Sequence, residues 1–290
     1  GPVEGKIILT YEDAAGNQST VERPFSTTVQ EMMVDPGIDM PVEPVVEETG
    51  LPLAGKIAIG AGAGNPPVVV DETADIEKAA KDIVDGCSFD NNLPCIAEKE
   101  VIAVDAVADY LIFNMKKNGA YEVKDPAVIS QLVELVTKEG KSPKTEFVGK
   151  SAKYILDKIG ITVGDDVKVI LMEAKEDHPF VQVELMMPIL PLVRVPDVDQ
   201  AIEMAVRVEH GNRHTASIFS KDVDHMTRFA RVIETTIYVK NSATKAGVGI
   251  GGEGHCTMTI AGPTGEGITC AKSFCRRRRC MLAEGGLRII

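Results

Sequence analysis

The fold class follows from residues 68–86, which read VVVDETADIEKAAKDIVDG. Three valines suit a short buried strand, and Asp71 or Asp75 then offers a side chain that can cap a helix. Apolar residues recur behind these caps at the helical spacing, as Ile76, Ala79, Ala80, Ile83 and Val84. Gly86 is expected to end this helix. The stretch therefore predicts a strand followed by an amphipathic helix.

The same alternation continues along the chain. Further strands are expected at 56–59, 101–104, 167–172, 189–193, Thr215–Phe219 and 235–239. Further helices are expected from 105 to about 117, from 126 to about 140, at Val198–Val208 and at Val223–Ile233. Strands that alternate with helices form parallel βαβ units, with helices on both faces of the sheet. The sequence thus predicts the α/β class.

Two segments precede this pattern. Residues 1–33 predict a β-hairpin, because β-branched runs flank the turn sequence DAAGN at 13–17. Residues 34–52 are rich in proline and acidic residues, which indicates an extended linker. The composition of the hairpin gives no indication of its role.

Composition excludes several classes of function. A net charge of −12 over 290 residues argues against a nucleic-acid partner, which needs a basic face. No stretch approaches the roughly 18 apolar residues of a membrane span. Six cysteines without a CxxC pair predict reduced thiols in a cytoplasmic protein. The basic run RRRR at 276–279 could face nucleic acid, a phosphate group of a cofactor or a second subunit, and we favour the subunit contact.

The glycine-rich stretch GAGAGN at 60–65 resembles a dinucleotide-binding loop only in composition. Such a loop needs a helix that begins inside the motif, so that its N–H groups meet the phosphate. Pro66 and Pro67 follow at once, and their fixed φ and missing donors suit a turn into a strand. We therefore expect a tight turn and no nucleotide loop.

Cys95 is the candidate nucleophile among the six thiols. It ends the polar loop FDNNLPC at 89–95, where a proline precedes it, whereas Cys87 follows a glycine and suits a core position. Reactivity requires thiolate character and access, which spacing alone does not establish. A buried, inert cysteine remains the alternative on this evidence.

Motifs along the chain favour the reactive interpretation. They are GNPPVVVDETAD at 64–75, SFDNN at 88–92, ELMMP at 184–188, GGEGH at 251–255, IAGPTGEG at 260–267 and the run at 276–279. In this order they resemble the CoA-acylating aldehyde dehydrogenases of ethanolamine and propanediol metabolism. The resemblance covers about residues 56–290. It divides the chain into a catalytic domain at 53–238 and a C-terminal segment at 239–290 that returns to the cofactor domain and oligomerises.

The resemblance implies a covalent, two-step reaction. Cys95 would attack a short aldehyde, NAD or NADP would take a hydride, and the resulting thioester would pass to coenzyme A. Glu184 and Pro188 match the cofactor-binding motif, in which the glutamate holds the nicotinamide ribose. His214 stands where acylating relatives carry a histidine near the thioester. The alternatives are a solvated carboxylate for Glu184 and a structural histidine for His214.

The position of the general base is the informative departure from hydrolytic relatives. Those enzymes carry a glutamate upstream of the cysteine, and the same spacing leads to Ala61 here. Alanine cannot activate water. We therefore expect acyl-CoA, and not a free acid, as the product.

The resemblance also sets expectations about the rest of the protein. The family places a cofactor domain before the catalytic one, whereas about 55 unrelated residues stand there in this chain. The oxyanion-hole asparagine and most of the dinucleotide pocket are therefore expected outside it. Kinship implies a cytoplasmic homo-oligomer, with association to a bacterial microcompartment as a further expectation. A truncated or chimeric interaction module, and a thiol enzyme that acylates Cys95 without a redox step, are the alternative functions.

Overall fold

The computed structural model describes residues 3–12, 18–27, 59–275 and 277–281. Strands β1 (Val3–Glu12) and β2 (Gln18–Thr27) pair antiparallel, with Val3 opposite Thr27. This is the arrangement that the sequence predicts for the first segment. The linker at 34–52 and most of the strand expected at 56–59 lie outside the described residues.

A seven-stranded sheet forms the centre of the described chain. Its strands are β3 (Pro67–Val70), β4 (Glu100–Val104), β5 (Ala120–Glu122), β8 (Val169–Glu173), β9 (Ile189–Val195), β10 (Thr215–Phe219) and β11 (Ile237–Lys240). They follow the order β11-β10-β3-β4-β9-β8-β5, and every neighbouring pair is parallel. The parallel sheet confirms the predicted α/β class. Two short antiparallel pairs lie outside it, namely β6 (Thr137–Lys138) with β7 (Ser142–Pro143) and β12 (Ile260–Ala261) with β13 (Gly267–Ile268).

Helices cover both faces of the sheet. They are α1 (Ile76–Cys87), α2 (Asp105–Lys117), α3 (Pro126–Val136), α4 (Ala152–Asp157), α5 (Pro179–Gln182), α6 (Val198–Val208) and α7 (Val223–Ile233). Side chains alternate along a strand, so Val68 and Val70 of β3 pack with α1 and α2, whereas Val69 packs with α6 and α7. Among the described residues, no helix has the length and hydropathy needed to span a bilayer.

Two helix ends differ from the sequence prediction. α1 continues through Gly86 to Cys87, so the glycine is not its stop signal. A Cβ at Gly86 would lie 2.2 Å from both carboxylate oxygens of Glu98, which explains why a glycine stands there. α3 ends at Val136, before the expected end near 140, and the Thr137 hydroxyl donates to the Val133 carbonyl at 2.7 Å. Beyond that point the chain forms the β6–β7 pair.

Candidate active site

The candidate site residues meet at the edge of the sheet where its parallel strands begin. Cys95 lies just before β4, Glu184 before β9 and His214 directly before β10. In the sheet, β3 lies between β10 and β4, and β9 lies next to β4. The segments that lead into β4, β9 and β10 therefore converge. Open α/β sheets more often bind ligands at the opposite edge, beyond the carboxyl ends of the strands. The convergence of these three residues therefore departs from that general pattern.

The turn before the nucleophile has an unusual backbone. Asp90, Asn91 and Asn92 all adopt positive φ, at 46°, 53° and 63°. Asparagine and aspartate tolerate this region better than most residues. The buried amide of Asn92 fixes the turn, because its Nδ2 donates to the carbonyls of Cys87 and Glu98, both at 2.9 Å.

Lys99 lies fully inside the protein beneath this turn. Its Nζ donates to Asn92 Oδ1 at 2.6 Å, to the Asn92 carbonyl at 3.1 Å and to the Pro94 carbonyl at 3.4 Å. Its backbone N–H donates to the carbonyl of Pro66 at 3.1 Å. Lys99 thus connects the turn before Cys95, through its side chain, to the start of β3, through its backbone N–H. Lys99 was not among the predicted site residues, because its place in a run of three charged residues suggests solvent exposure.

The two cysteines near this turn differ in access. Cys87 is fully buried, and burial raises the pKa of its thiol far above the usual range. Cys95 is only partly buried; burial, and then the charge of Glu184, raises the pKa of its thiol, whereas Lys99 lowers it. Of these two thiols, Cys95 is the one that a reagent can reach.

Glu184 presents an acceptor to the same region. Its Oε2 accepts from the backbone N–H of Gly64 at 3.3 Å. Its Oε1 is buried and has no hydrogen-bond partner among the described residues. Burial raises the pKa of this carboxyl, and Lys99 opposes the shift. A shielded, unpaired carboxylate oxygen fits a ligand hydroxyl such as that of a ribose.

Gly64 brings the site residues into contact. A Cβ at this position would lie 2.9 Å from the Cys95 carbonyl oxygen and 2.9 Å from Cγ of His214. No helix begins in the glycine-rich stretch, which leads directly into β3 as the two prolines predict. The stretch therefore provides close backbone approach beside Cys95.

His214 is a neutral base within the site. Burial, followed by the charge of Lys99, lowers the pKa of its imidazole to about 4. Its backbone N–H donates to Glu209 Oε1 at 2.9 Å, and its Nδ1 lies 2.8 Å from the Thr215 hydroxyl. Its Nε2 is buried and unpaired among the described residues. A neutral imidazole with an open nitrogen can accept a hydrogen bond from a ligand at neutral pH.

Buried carboxyls surround this group, and the sequence analysis missed them as well. Glu98 accepts from the Thr244 N–H at 2.7 Å, and burial raises the pKa of its carboxyl to about 7. Burial raises the pKa of Glu100 well above its usual value, and neither of its side-chain oxygens has a partner among the described residues. Burial also raises the pKa of Glu209. The positive charge of Lys99 lowers the pKa of both Glu98 and Glu100 and so opposes the effect of burial.

Other predicted positions lie apart from these contacts. Pro188 directly precedes β9, where its carbonyl accepts from the Ile170 N–H at 2.8 Å. Ala61 is exposed, and its neighbour Gly60 donates to the Thr264 hydroxyl at 3.0 Å. No cluster of three potential metal ligands occurs within the described ranges. A cavity of about 620 Å³ lies beyond the carboxyl end of β8, and Cys95, Glu184 and His214 are not among its lining residues.

Comparisons with known proteins show which proteins this chain is similar to. A sequence model described as the aldehyde dehydrogenase family matches residues 54–262. The CoA-propanoylating propanal dehydrogenase of Citrobacter freundii is 46% identical over 295 residues, which cover 97% of this chain and 62% of that protein. The chain therefore spans about six tenths of the length of this curated relative.

Two solved structures show the same likeness. The propionaldehyde dehydrogenase of Rhodopseudomonas palustris, with bound CoA and an acylated cysteine, is 66% identical with a TM-score of 0.77. That match covers 79% of this chain and 52% of the other. An engineered glycolyl-CoA reductase with bound NADP+ is 64% identical with a TM-score of 0.77, and the match covers 81% and 53% of the two chains.

Proposed function

The chain belongs to the aldehyde dehydrogenase family, and on this premise we propose that it carries the catalytic centre for oxidation of a short aldehyde to acyl-CoA, with Cys95 as nucleophile. The observation that carries the proposal is the meeting of Cys95, Glu184 and His214 around Gly64. The Citrobacter and Rhodopseudomonas relatives, named for CoA-dependent propanal and propionaldehyde chemistry, support this reaction class.

The first step forms a covalent adduct on the protein. The Cys95 thiolate attacks the aldehyde carbon, a C–S bond forms as the C=O π bond breaks, and the carbonyl oxygen takes up the proton that the thiol had released, which gives a thiohemiacetal. When bound, the nicotinamide cofactor would accept the hydride from that carbon, and the loss of the hydroxyl proton would complete the thioester. Glu184 would hold the cofactor through its unpaired Oε1. Lys99 opposes the burial that disfavours the thiolate.

The second step transfers the acyl group to a thiol. The CoA sulfur attacks the thioester carbon, and the Cys95 sulfur leaves as a thiolate. His214 is neutral at physiological pH, so its open nitrogen can accept the proton of the incoming thiol as the new C–S bond forms. Because the pKa of the imidazole is only about 4, this proton is passed on to the departing Cys95 sulfur and is not retained. Alanine at 61 has no group that could activate water, so acyl transfer is favoured over hydrolysis.

The remaining expectations form part of the same proposal. A segment at 53–238 would hold the chemistry, and the segment at 239–290 would contact the cofactor domain and a second subunit. Pro188 would close the cofactor-binding motif that begins at Glu184. NAD or NADP, coenzyme A, a homo-oligomeric state, and a cytoplasmic or microcompartment location follow from kinship. A non-catalytic interaction module and a thiol acyltransferase without a redox step are the competing functions.

Mass spectrometry of the purified chain after addition of propionyl-CoA tests the nucleophile. We expect one propionyl group on Cys95, none on Cys87, and no adduct in Cys95→Ala. Cys87→Ala is the matched control and should still be acylated. The absence of any adduct on Cys95 would contradict the proposal and favour the interaction module. Acylation of Cys95 without cofactor binding would favour the acyltransferase.

A further inference from the structure

The contacts of the buried Lys99 side chain are not explained by core packing alone. The side chain is fully buried, and its three hydrogen bonds all go to the segment that ends at Cys95. Burying an ammonium is costly unless acceptors or negative charges surround it. The acceptors are the carbonyl and side-chain oxygens of Asn92 and the carbonyl of Pro94. The charge of Lys99 is therefore held directly beneath the nucleophile turn.

Titratable groups face this ammonium from several elements. They are Cys87 at the end of α1, Cys95 in the turn, Glu98 and Glu100 at the start of β4, Glu184 before β9 and His214 before β10. Burial lowers the pKa of the Lys99 ammonium, whereas the charges of Glu184, Cys87, Cys95 and Glu100 raise it. As an ammonium it is the one cation among these groups, because His214 stays neutral at neutral pH. Among these groups, Cys95 is the partly exposed thiol.

We propose that Lys99 is the positioning residue of the nucleophile. It holds the turn from Asn92 to Pro94 through three hydrogen bonds, and its buried charge favours the thiolate form of Cys95. This inference rests on the proposed role of Cys95. Under this inference, Lys99 favours the thiolate form of Cys95 without help from a general base. Position 61, where hydrolytic relatives carry a glutamate, holds alanine in this chain.

The pH dependence of Cys95 alkylation tests the inference without any need for turnover. Iodoacetamide forms a C–S bond with the thiolate and releases iodide, so its rate follows the thiolate fraction. Peptide mass spectrometry would give the rate at Cys95 separately from the other thiols. Lys99→Met keeps most of the length of the side chain and removes its charge. In this variant we expect the midpoint of the pH dependence of the alkylation rate at Cys95 to rise by about one pH unit. At a pH below both midpoints the rate should fall about ten-fold.

Lys99→Arg is the charge-retaining control. We expect its midpoint to stay closer to the wild-type value than that of Lys99→Met, because arginine keeps a positive charge and several donors. If Lys99 had a purely structural role, its replacement by methionine would change the extent of alkylation or the stability of the protein. The midpoint of the pH dependence of alkylation would then stay unchanged. An unchanged midpoint in a folded Lys99→Met protein would overturn the inference.

A second pair of variants serves if Lys99→Met does not fold. Glu184→Gln removes the carboxylate that Lys99 partly neutralises, and the double variant Lys99→Met/Glu184→Gln then buries neither charge. We expect the Cys95 midpoint to be higher in the double variant than in Glu184→Gln alone, and equal midpoints would overturn the inference. If wild-type Cys95 takes neither iodoacetamide nor a propionyl group, the proposed nucleophile fails first, and the role of Lys99 fails with it.

Discussion

At the scale of single residues, the lowered pKa of His214 sets the pH below which its imidazole becomes protonated. Because the pKa of its imidazole is lowered to about 4, the neutral form persists from alkaline pH down to mildly acidic pH. An ordinary histidine would already be half protonated near pH 6.5. The imidazole of His214 therefore stays unprotonated over the physiological pH range.

We predict that His214→Gln slows transfer of the acyl group from Cys95 to CoA by about 10²-fold, the low end of the usual contribution of a general base, because a pKa of about 4 makes this imidazole a weak base. Cys95 would first be acylated with p-nitrophenyl propionate, and the release of the acyl group to CoA would then be timed. For the wild type, the part of the rate that depends on this base should fall only as the pH approaches 4. His255→Gln is the control, because His255 is exposed. Equal rates in the two variants would contradict the role of His214.

A second prediction concerns Ala61. In Ala61→Glu, we expect faster hydrolysis of the Cys95 thioester, because a carboxylate at that position could activate water. Ala61 is exposed, so the longer side chain needs no repacking of the core. Ala61→Gln has the same size without the base and is the matched control. The release of free propionate from acylated protein is the measurement, and equal release from both variants would count against the assignment of this position.

At the scale of elements, the packing of α1 against the start of β4 depends on Gly86. Alanine in a helix interior is normally better than glycine by about 1 kcal/mol. Here a Cβ would meet the Glu98 carboxylate at 2.2 Å, so the steric cost decides the sign. We predict that Gly86→Ala destabilises the protein by about 1–3 kcal/mol, as measured by urea unfolding.

The Glu98→Ala background provides the control for this steric argument. Removing the carboxylate opens the space that the new methyl group needs. Gly86→Ala should therefore cost less in that background than in the wild type, and the difference is the coupling energy of the pair. The same cost in both backgrounds would show that Glu98 is not the obstacle.

Helices and strands with both ends marked in the sequence were predictable. α6 and α7 begin after Asp197 and Asp222, whose side chains cap them, and the apolar spacing gives both helices at their observed bounds. The end of α1 was mispredicted because a glycine signals both a helix stop and close approach of another group. Only the position of Glu98 in space distinguishes these two meanings.

The candidate site was predictable in part. Cys95, Glu184 and His214 stood out by their resemblance to known motifs, and the fold brings them together. Lys99 did not stand out, because its role depends on Asn92 and Glu184, which come from separate parts of the chain. Three consecutive charged residues at the start of a strand also suggest solvent exposure, whereas here Glu98, Lys99 and Glu100 are all buried.

At the scale of the whole molecule, the site concentrates buried ionisable groups at one edge of the sheet, and folding stability becomes sensitive to pH there. Glu98 has a folded pKa of about 7, above its ordinary value of 4.5. Its contribution to stability is therefore complete below pH 4.5 and is lost as the pH rises towards 7. His214 has a folded pKa of about 4, below its ordinary 6.5, so its contribution is lost as the pH falls from 6.5 to 4.

These opposite slopes can be separated by two variants. Each shift spans about 2.5 pH units, which corresponds to a change of about 3 kcal/mol across its window. In wild-type protein the two slopes oppose each other between about pH 4.5 and 6.5. The raised pKa values of Glu100, Glu184 and Glu209 add to the loss of stability with rising pH.

We therefore predict that Glu98→Gln becomes more stable relative to wild type as the pH rises from 4.5 to 7, because it lacks a carboxyl that must ionise inside the protein. His214→Gln should become less stable relative to wild type over the same rise, because it lacks the histidine whose protonation opposes folding at low pH. Urea unfolding of the three proteins at matched pH values measures both differences. Because each variant is compared with wild type, the contributions of all other titratable groups to the pH dependence cancel to first order. Parallel curves of unfolding free energy against pH for the three proteins would mean that neither Glu98 nor His214 is buried in the charge state argued above.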